Sequence, residues 1–190
     1  MTTSSSNSKS PEYVRAISWV NSLAFNNLTW RTPVEFYIGM LKVRDIKDQW
    51  MRVDLECPGI YVFTEYDDVQ LKSSPQGNLR ESNECVLYVG KAGLGKSTNL
   101  RTRIRTYAKN MRHRGAAMIL GQIMSRDLTR GKAACKYLVY VRYAPVNPSE
   151  HKEALKNNEE ELKAFTKALN SKILEVEKAA IRELKPLLNS

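Results

Sequence analysis

Hydrophobic positions change their period several times along this chain. Three short runs are apolar almost without interruption: GIYVFT at Gly59–Thr64, CVLYVG at Cys85–Gly90 and KYLVYVRY at Lys136–Tyr143. Runs of that length read as strands, and Pro58-Gly59 opens the first with a turn signal. Elsewhere the period is helical. Leu169, Ile173, Ala180, Ile181 and Leu184 recur at i, i+3, i+4 spacing, one apolar stripe on a long final helix. Three sites share a helix-start signal, a capping side chain before a proline: Ser10-Pro11, Thr32-Pro33 and Asn147-Pro148. Glu35 and Glu150 complete capping boxes at the last two. The pattern predicts helices over 11–24, 33–43 and 148–185, the last stopping before Pro186. It predicts a basic helix over 97–112 and another over 115–130, with Ala117, Ile119, Leu120, Ile123 and Met124 inward. Trp19, Phe25, Phe36 and Tyr37 would pack the first two helices together. The polar stretch Glu65–Glu84 reads as a long loop. The sum is an α+β fold: a small three-stranded, mostly antiparallel sheet flanked by helices, with an N-terminal helical extension.

Composition sharpens the picture at two points. The chain has 190 residues and a formal charge of +10, unevenly placed. Lys91 to Lys136 holds twelve Lys or Arg against one acid, Asp127, which is the footprint of a nucleic-acid partner. The three cysteines, Cys57, Cys85 and Cys135, are odd in number and far apart. That fits a reducing cytoplasm better than a disulfide framework, and a structural zinc site is not indicated. Residues 1–10 open polar and read as a disordered tail, not a signal peptide. No apolar run approaches the ~18 residues of a membrane span.

Two motifs overlap at Tyr88–Thr98, YVGKAGLGKST. Gly90–Ser97 fits the phosphate-cradling pattern G-x-x-x-x-G-K-[ST] at each fixed position. A nucleotide-binding reading also needs a parallel sheet and a second strand ending in an acid. The strand after Ser97 ends Arg142-Tyr143-Ala144-Pro145 instead. A second signal lies in the final helix. Glu177 falls inside the apolar stripe, four residues after Ile173 and four before Ile181. A carboxylate there is costly unless paired or bound to metal.

Four separated places carry a resemblance. Gly59-Ile60-Tyr61 and Tyr88-Val89-Gly90-Lys91-Ala92 look like paired strand motifs. Asn99-Leu100-Arg101-Thr102-Arg103 resembles an N-L-x-x-R helix, with Tyr107 one turn on. Glu177 to Asn189 (EKAAIRELKPLLN) resembles a closing E-x-x-x-I…K-P…N segment. In this order they resemble the GIY-YIG nuclease superfamily, over about residues 57–189. The resemblance implies hydrolysis of DNA phosphodiester bonds with one Mg²⁺ or Mn²⁺. Glu177 would hold the metal, Arg103 the phosphate charge, and Tyr61 would be the general base. An unperturbed Tyr has a pKa near ~10, so Tyr61 would need help from Lys91, Arg103 and the metal. Tyr88 and Tyr107 would position water or phosphate. Lys96, Arg101, Arg105, Lys109, Arg112, Arg114, Arg130 and Lys132 are the candidate contacts to double-stranded DNA.

The resemblance divides the chain into residues 1–10 (tail), 11–55 (helical extension) and 56–190 (nuclease domain). Insertions would lie at 65–84, 93–97 and 113–133. It is closest in style to short type II restriction enzymes of that superfamily, which usually act as homodimers. The chain stops just after the last motif, which suggests no further DNA-binding domain. A stand-alone repair, phage or mobile-element nuclease is the alternative. A nucleotide-binding protein using Gly90–Ser97 and a non-catalytic DNA-binding module are the alternatives of another class.

Overall fold

The computed structural model describes residues 9–31, 34–38, 53–64, 86–95, 97–109 and 137–189. Its elements are α1 (Pro11–Ser22), β1 (Val34–Ile38), β2 (Gly59–Thr64), β3 (Val86–Ala92), α2 (Leu100–Lys109), β4 (Tyr137–Pro145), α3 (Ser149–Ala154) and α4 (Glu159–Leu184). Short 3₁₀ turns lie at Phe25–Asn27 and Val53–Glu56. The strands form one sheet in the order β1-β4-β2-β3, and every pair is antiparallel. This is the small α+β fold that the apolar pattern predicts. The predicted helix 115–130 and loop 65–84 lie outside the described residues.

Two elements differ from expectation. The predicted helix 33–43 is strand β1, paired with β4 from Val34↔Val141 to Ile38↔Tyr137. VEFYI is rich in strand-favouring residues, and sheet pairing overrides the Thr-Pro-x-Glu start signal. The sheet therefore has a fourth strand drawn from the supposed helical extension. The predicted helix 148–185 is two helices, because Leu155–Asn158 interrupts it. Asn158 restarts the helix by accepting from Glu161 N (3.1 Å), the cap signal that the continuous reading missed.

The core lies between the sheet and α1, α3 and α4. Ile60, Val62, Val86, Val89 and Ala144 meet Ala16 and Val20 of α1 and Phe165, Leu169, Ile173, Val176, Ala180 and Leu184 of α4. Gly59, Tyr61 and Phe63 alternate to the opposite face. There α2 covers the sheet through Leu100 and Ile104, both buried. Gly59 is required at the crossing: a Cβ there would meet Ala144 O at 2.2 Å and Leu100 Cδ1 at 3.1 Å.

Ser10, placed in the tail by its sequence, is fastened at the start of α1. Ser10 N donates to Glu161 Oε1 (2.8 Å), and its hydroxyl donates to Oε2. The same hydroxyl oxygen accepts from Tyr13 N (3.1 Å) and caps α1. These Ser10 bonds, side chain first, hold the Glu161 carboxyl below its ordinary pKa. A depressed carboxylate contributes stability above its unfolded pKa, near ~4.3, that is lost as pH falls through the folded value. Ser10→Ala is expected to cost about 1 kcal/mol at neutral pH, read by urea unfolding. The deficit should shrink as the pH is taken below 4.3, roughly the unfolded carboxylate value.

Candidate active site

β3 is an edge strand, and its outer edge is closed by the C-terminal part of the chain. Lys185 takes a left-handed conformation (φ 44°) at the end of α4 and turns the chain back. Leu187 N then donates to Val86 O (3.1 Å), and Leu188 N to Leu87 O (3.0 Å). The Asn189 amide imitates a further strand. It accepts from Val89 N and donates to Val89 O, both at 2.7 Å. Beyond it, the Lys91 backbone N–H donates to the Glu177 carboxylate. The carboxylate is thus set against the strand edge by α4 itself.

Glu177 is half-buried, on the border of the apolar stripe. Burial pushes its pKa above the ordinary value. The Lys91 ammonium and backbone N–H, then Arg103, then Lys178, pull the other way and do not cancel it. Arg103 comes from α2. Asn99 opens that helix, its side chain accepting from Thr102 N (2.9 Å), and Leu100 N ties it to Cys57 O (3.0 Å). Buried Leu100 and Ile104 fix its phase and bring Arg103 to the carboxylate. Arg103 Nε is buried without a hydrogen-bond partner among the described residues, an N–H that an oxyanion would satisfy.

Tyr61 pairs directly with Gly90, and Phe63 with Tyr88. Tyr61 is only 3% exposed. Its ring centroid lies 5.7 Å from Phe63 and 6.2 Å from Tyr88, a cluster on the face that α2 covers. Gly90 is part of that seat, since a Cβ would stand 2.4 Å from Tyr61 Cζ and 2.5 Å from its hydroxyl. By register the Lys91 side chain starts from the other face, beside α4. The structure joins Lys91, Arg103 and Glu177 into one cluster, with the two tyrosines next to it across the sheet.

Two backbone N–H groups of the glycine loop and the two that follow it are engaged within the chain. Gly93 N donates to Thr98 O (2.8 Å), Leu94 N to Asn170 Oδ1 (2.9 Å), Thr98 N to Gly95 O (3.1 Å) and Asn99 N to Gly95 O (3.0 Å). A phosphate cradle needs such N–H groups free. The sheet is antiparallel, whereas a nucleotide site of this kind calls for a parallel one.

The other predicted site residues divide four ways. Arg105 is exposed on α2. Arg101 is engaged by Glu56 at 2.6 Å, so it braces α2 against the 3₁₀ turn before β2. Tyr107 and Lys109 fall in the last turn of α2, and nothing of their side chains is described. Lys96, Arg112, Arg114, Arg130 and Lys132 lie outside the described residues. The motifs include Asn99 and Asn189 without saying what they do, which is to cap α2 and to seal β3, and sequence reasoning missed Asn170 altogether.

Among the described residues no three His, Cys, Asp or Glu side chains cluster. A divalent ion here would have Glu177 as its protein ligand there, with water and substrate oxygens for the rest. That oxygen-only set suits Mg²⁺ or Mn²⁺, and a half-buried carboxylate disfavoured in its charged form is a fitting ligand. No helix among the described residues is long and apolar enough to cross a membrane. Comparison of the chain with protein-family models, curated proteins and solved structures gives no match.

Proposed function

We propose that the protein is a metal-dependent endonuclease of the GIY-YIG type that hydrolyses DNA phosphodiester bonds. The observation that carries this reading is the cluster of Glu177, Lys91 and Arg103, drawn from three separate segments. Its carboxylate is disfavoured in the charged form although two cations flank it. Arg103 grips the scissile phosphate through two oxygens, which the planar guanidinium fork matches. Tyr61 takes the proton of the attacking water. Tyr88 and Tyr107 orient water and phosphate. A bound Mg²⁺ or Mn²⁺ supplies positive charge where the phosphate oxygens develop negative charge. The finer reading is a restriction-like homodimer in the cytoplasm that cuts a defined sequence in double-stranded DNA.

A purely DNA-binding module fits the site less well. A half-buried carboxylate beside a phosphate track repels the ligand and weakens binding, whereas a metal-assisted hydrolase needs it.

The test uses supercoiled plasmid with Mg²⁺, beside a chelator control. Wild-type protein should produce linear fragments of defined size, and EDTA should stop it. Arg103→Ala should lower the rate by about 10²–10³-fold, the usual loss for one preorganised group on transition-state charge. Intact plasmid at all protein concentrations would refute the catalytic reading. Nicks without sequence preference would keep the nuclease and refute the restriction role.

A further inference from the structure

The basic block that predicts a nucleic-acid partner runs from Lys91 to Lys136, but α4 carries a second basic surface. At 3.6 residues per turn, Lys163, Lys167, Leu174 and Lys178 fall within about 60° of one another, and Arg182 about 40° further round. All five are exposed. Glu177 and Asn170 lie on the border of the same flank, turned toward β3. The stripe therefore runs alongside the proposed active site. Between Glu161 and Glu183 the helix has two carboxylates, Glu175 and Glu177. Glu175 is held by Lys172 (3.2 Å), and Glu177 acts first on Lys91, then Arg103, and only last on Lys178, so the stripe keeps most of its charge. Lys163 is steadied by Glu159 (2.6 Å), while Lys167 is exposed nearly three turns before the stripe passes Glu177. Leu174 is 38% exposed, one of two large apolar side chains so placed among the described residues. It leaves an uncharged gap between the two basic pairs.

We propose that this flank of α4 is a track for the sugar-phosphate backbone of duplex DNA, gripped mainly by Lys167, Lys178 and Arg182. The proposal rests on the nuclease reading for its direction, since it carries the strand on from the scissile phosphate at Glu177. From Lys163 to Arg182 the helix rises ~28 Å, close to eight base-pair steps of B-form DNA. Such contacts bind without reading sequence and release counterions, so they show in the salt dependence of binding.

The test is the binding of a fluorescent duplex of about two helical turns (~20 bp) at ~50 to ~200 mM salt. It uses full-length protein with Glu177→Gln in every variant, so that cleavage does not intrude. The flank variant adds Lys167→Glu, Lys178→Glu and Arg182→Glu. A control with the same change of charge adds Lys9→Glu, Lys152→Glu and Lys156→Glu. Loss of three phosphate contacts should flatten the slope of log K against log salt by about 2.7. Affinity near physiological salt should fall at least tenfold for the flank variant and much less for the control. Equal losses in the two variants, or an unchanged slope, would overturn the track. The same duplex replaced by vesicles of acidic lipid should give no flank-dependent binding, and strong binding there would reassign the surface. Binding reports the track even where cleavage assays refute the nuclease, so the two failures stay distinct.

Discussion

Glu177→Gln is expected to abolish DNA cleavage, by at least about 10³-fold, without destabilising the fold. Glutamine keeps an oxygen that accepts the Lys91 backbone N–H, and it keeps the volume beside Ile173 and Ile181. It removes the charge that burial disfavours. The sign of the stability effect follows from the raised pKa. A carboxyl raised on folding contributes stability below its unfolded pKa, and that contribution is lost as pH rises through the folded value. At neutral pH the ionised Glu177 is therefore a burden on the native state. The variant should melt at or above the wild-type temperature at pH 7, and its advantage should vanish near pH 4, roughly the unfolded carboxylate value. A residue kept at a cost to stability is the signature of a working site, whereas a structural ion pair would show the opposite sign. Calorimetry at the two pH values, beside the plasmid assay, decides between them. A large loss of stability with cleavage retained would remove Glu177 from the chemistry.

Gly90→Ala should lower both rate and stability, by a route that can be isolated. The new Cβ would stand 2.4 Å from Tyr61 Cζ, and the ring has little freedom to retreat because Phe63 and Tyr88 pack against it. Overpacking of this kind costs about 1–3 kcal/mol. A displacement of a catalytic group by an ångström or so costs about 10²-fold in rate. Tyr61→Phe keeps the ring and loses the hydroxyl, so its rate should fall about 10²–10⁴-fold with little change in stability. The double variant separates the causes. Where Gly90 serves to seat the hydroxyl, alanine at 90 should cost no further rate once Tyr61 is phenylalanine. Independent, additive losses would show that Gly90 acts through the sheet and not through Tyr61.

Glu177 was legible because charge inside an apolar stripe breaks a pattern that can be seen in one stretch of chain. The strand pair β2–β3 was legible for the same reason, as two dense apolar runs. β1 was not. Its Thr-Pro-x-Glu start signal is local, while its partner Val141 lies 107 positions away from Val34 (141 − 34), and pairing won over capping. The break between α3 and α4 has no proline or glycine to announce it. It depends on Asn158 capping anew and on Glu161, three residues later, being drawn away to Ser10. The glycine loop shows that a motif names residue types and not free N–H groups. Two of its amides, those of Gly93 and Leu94, are engaged within the chain, as are those of Thr98 and Asn99 just after it. The predicted role of Arg101 in binding DNA weakens likewise, since Glu56 holds it.

The seal on β3 carries a consequence for how the molecule is made. Val89 waits for Asn189, 100 residues later in synthesis. Until then the strand's outer edge is bare, an open template for pairing with another chain. A nascent chain that has emerged through α2 already holds Tyr61, Tyr88, Lys91 and Arg103, yet it lacks the carboxylate. On the proposed reading that growing chain is a cationic polymer with an affinity for nucleic acid and no means of cutting it. On that reading cutting power waits for α4 to emerge and dock, in the same event that shields the sticky edge.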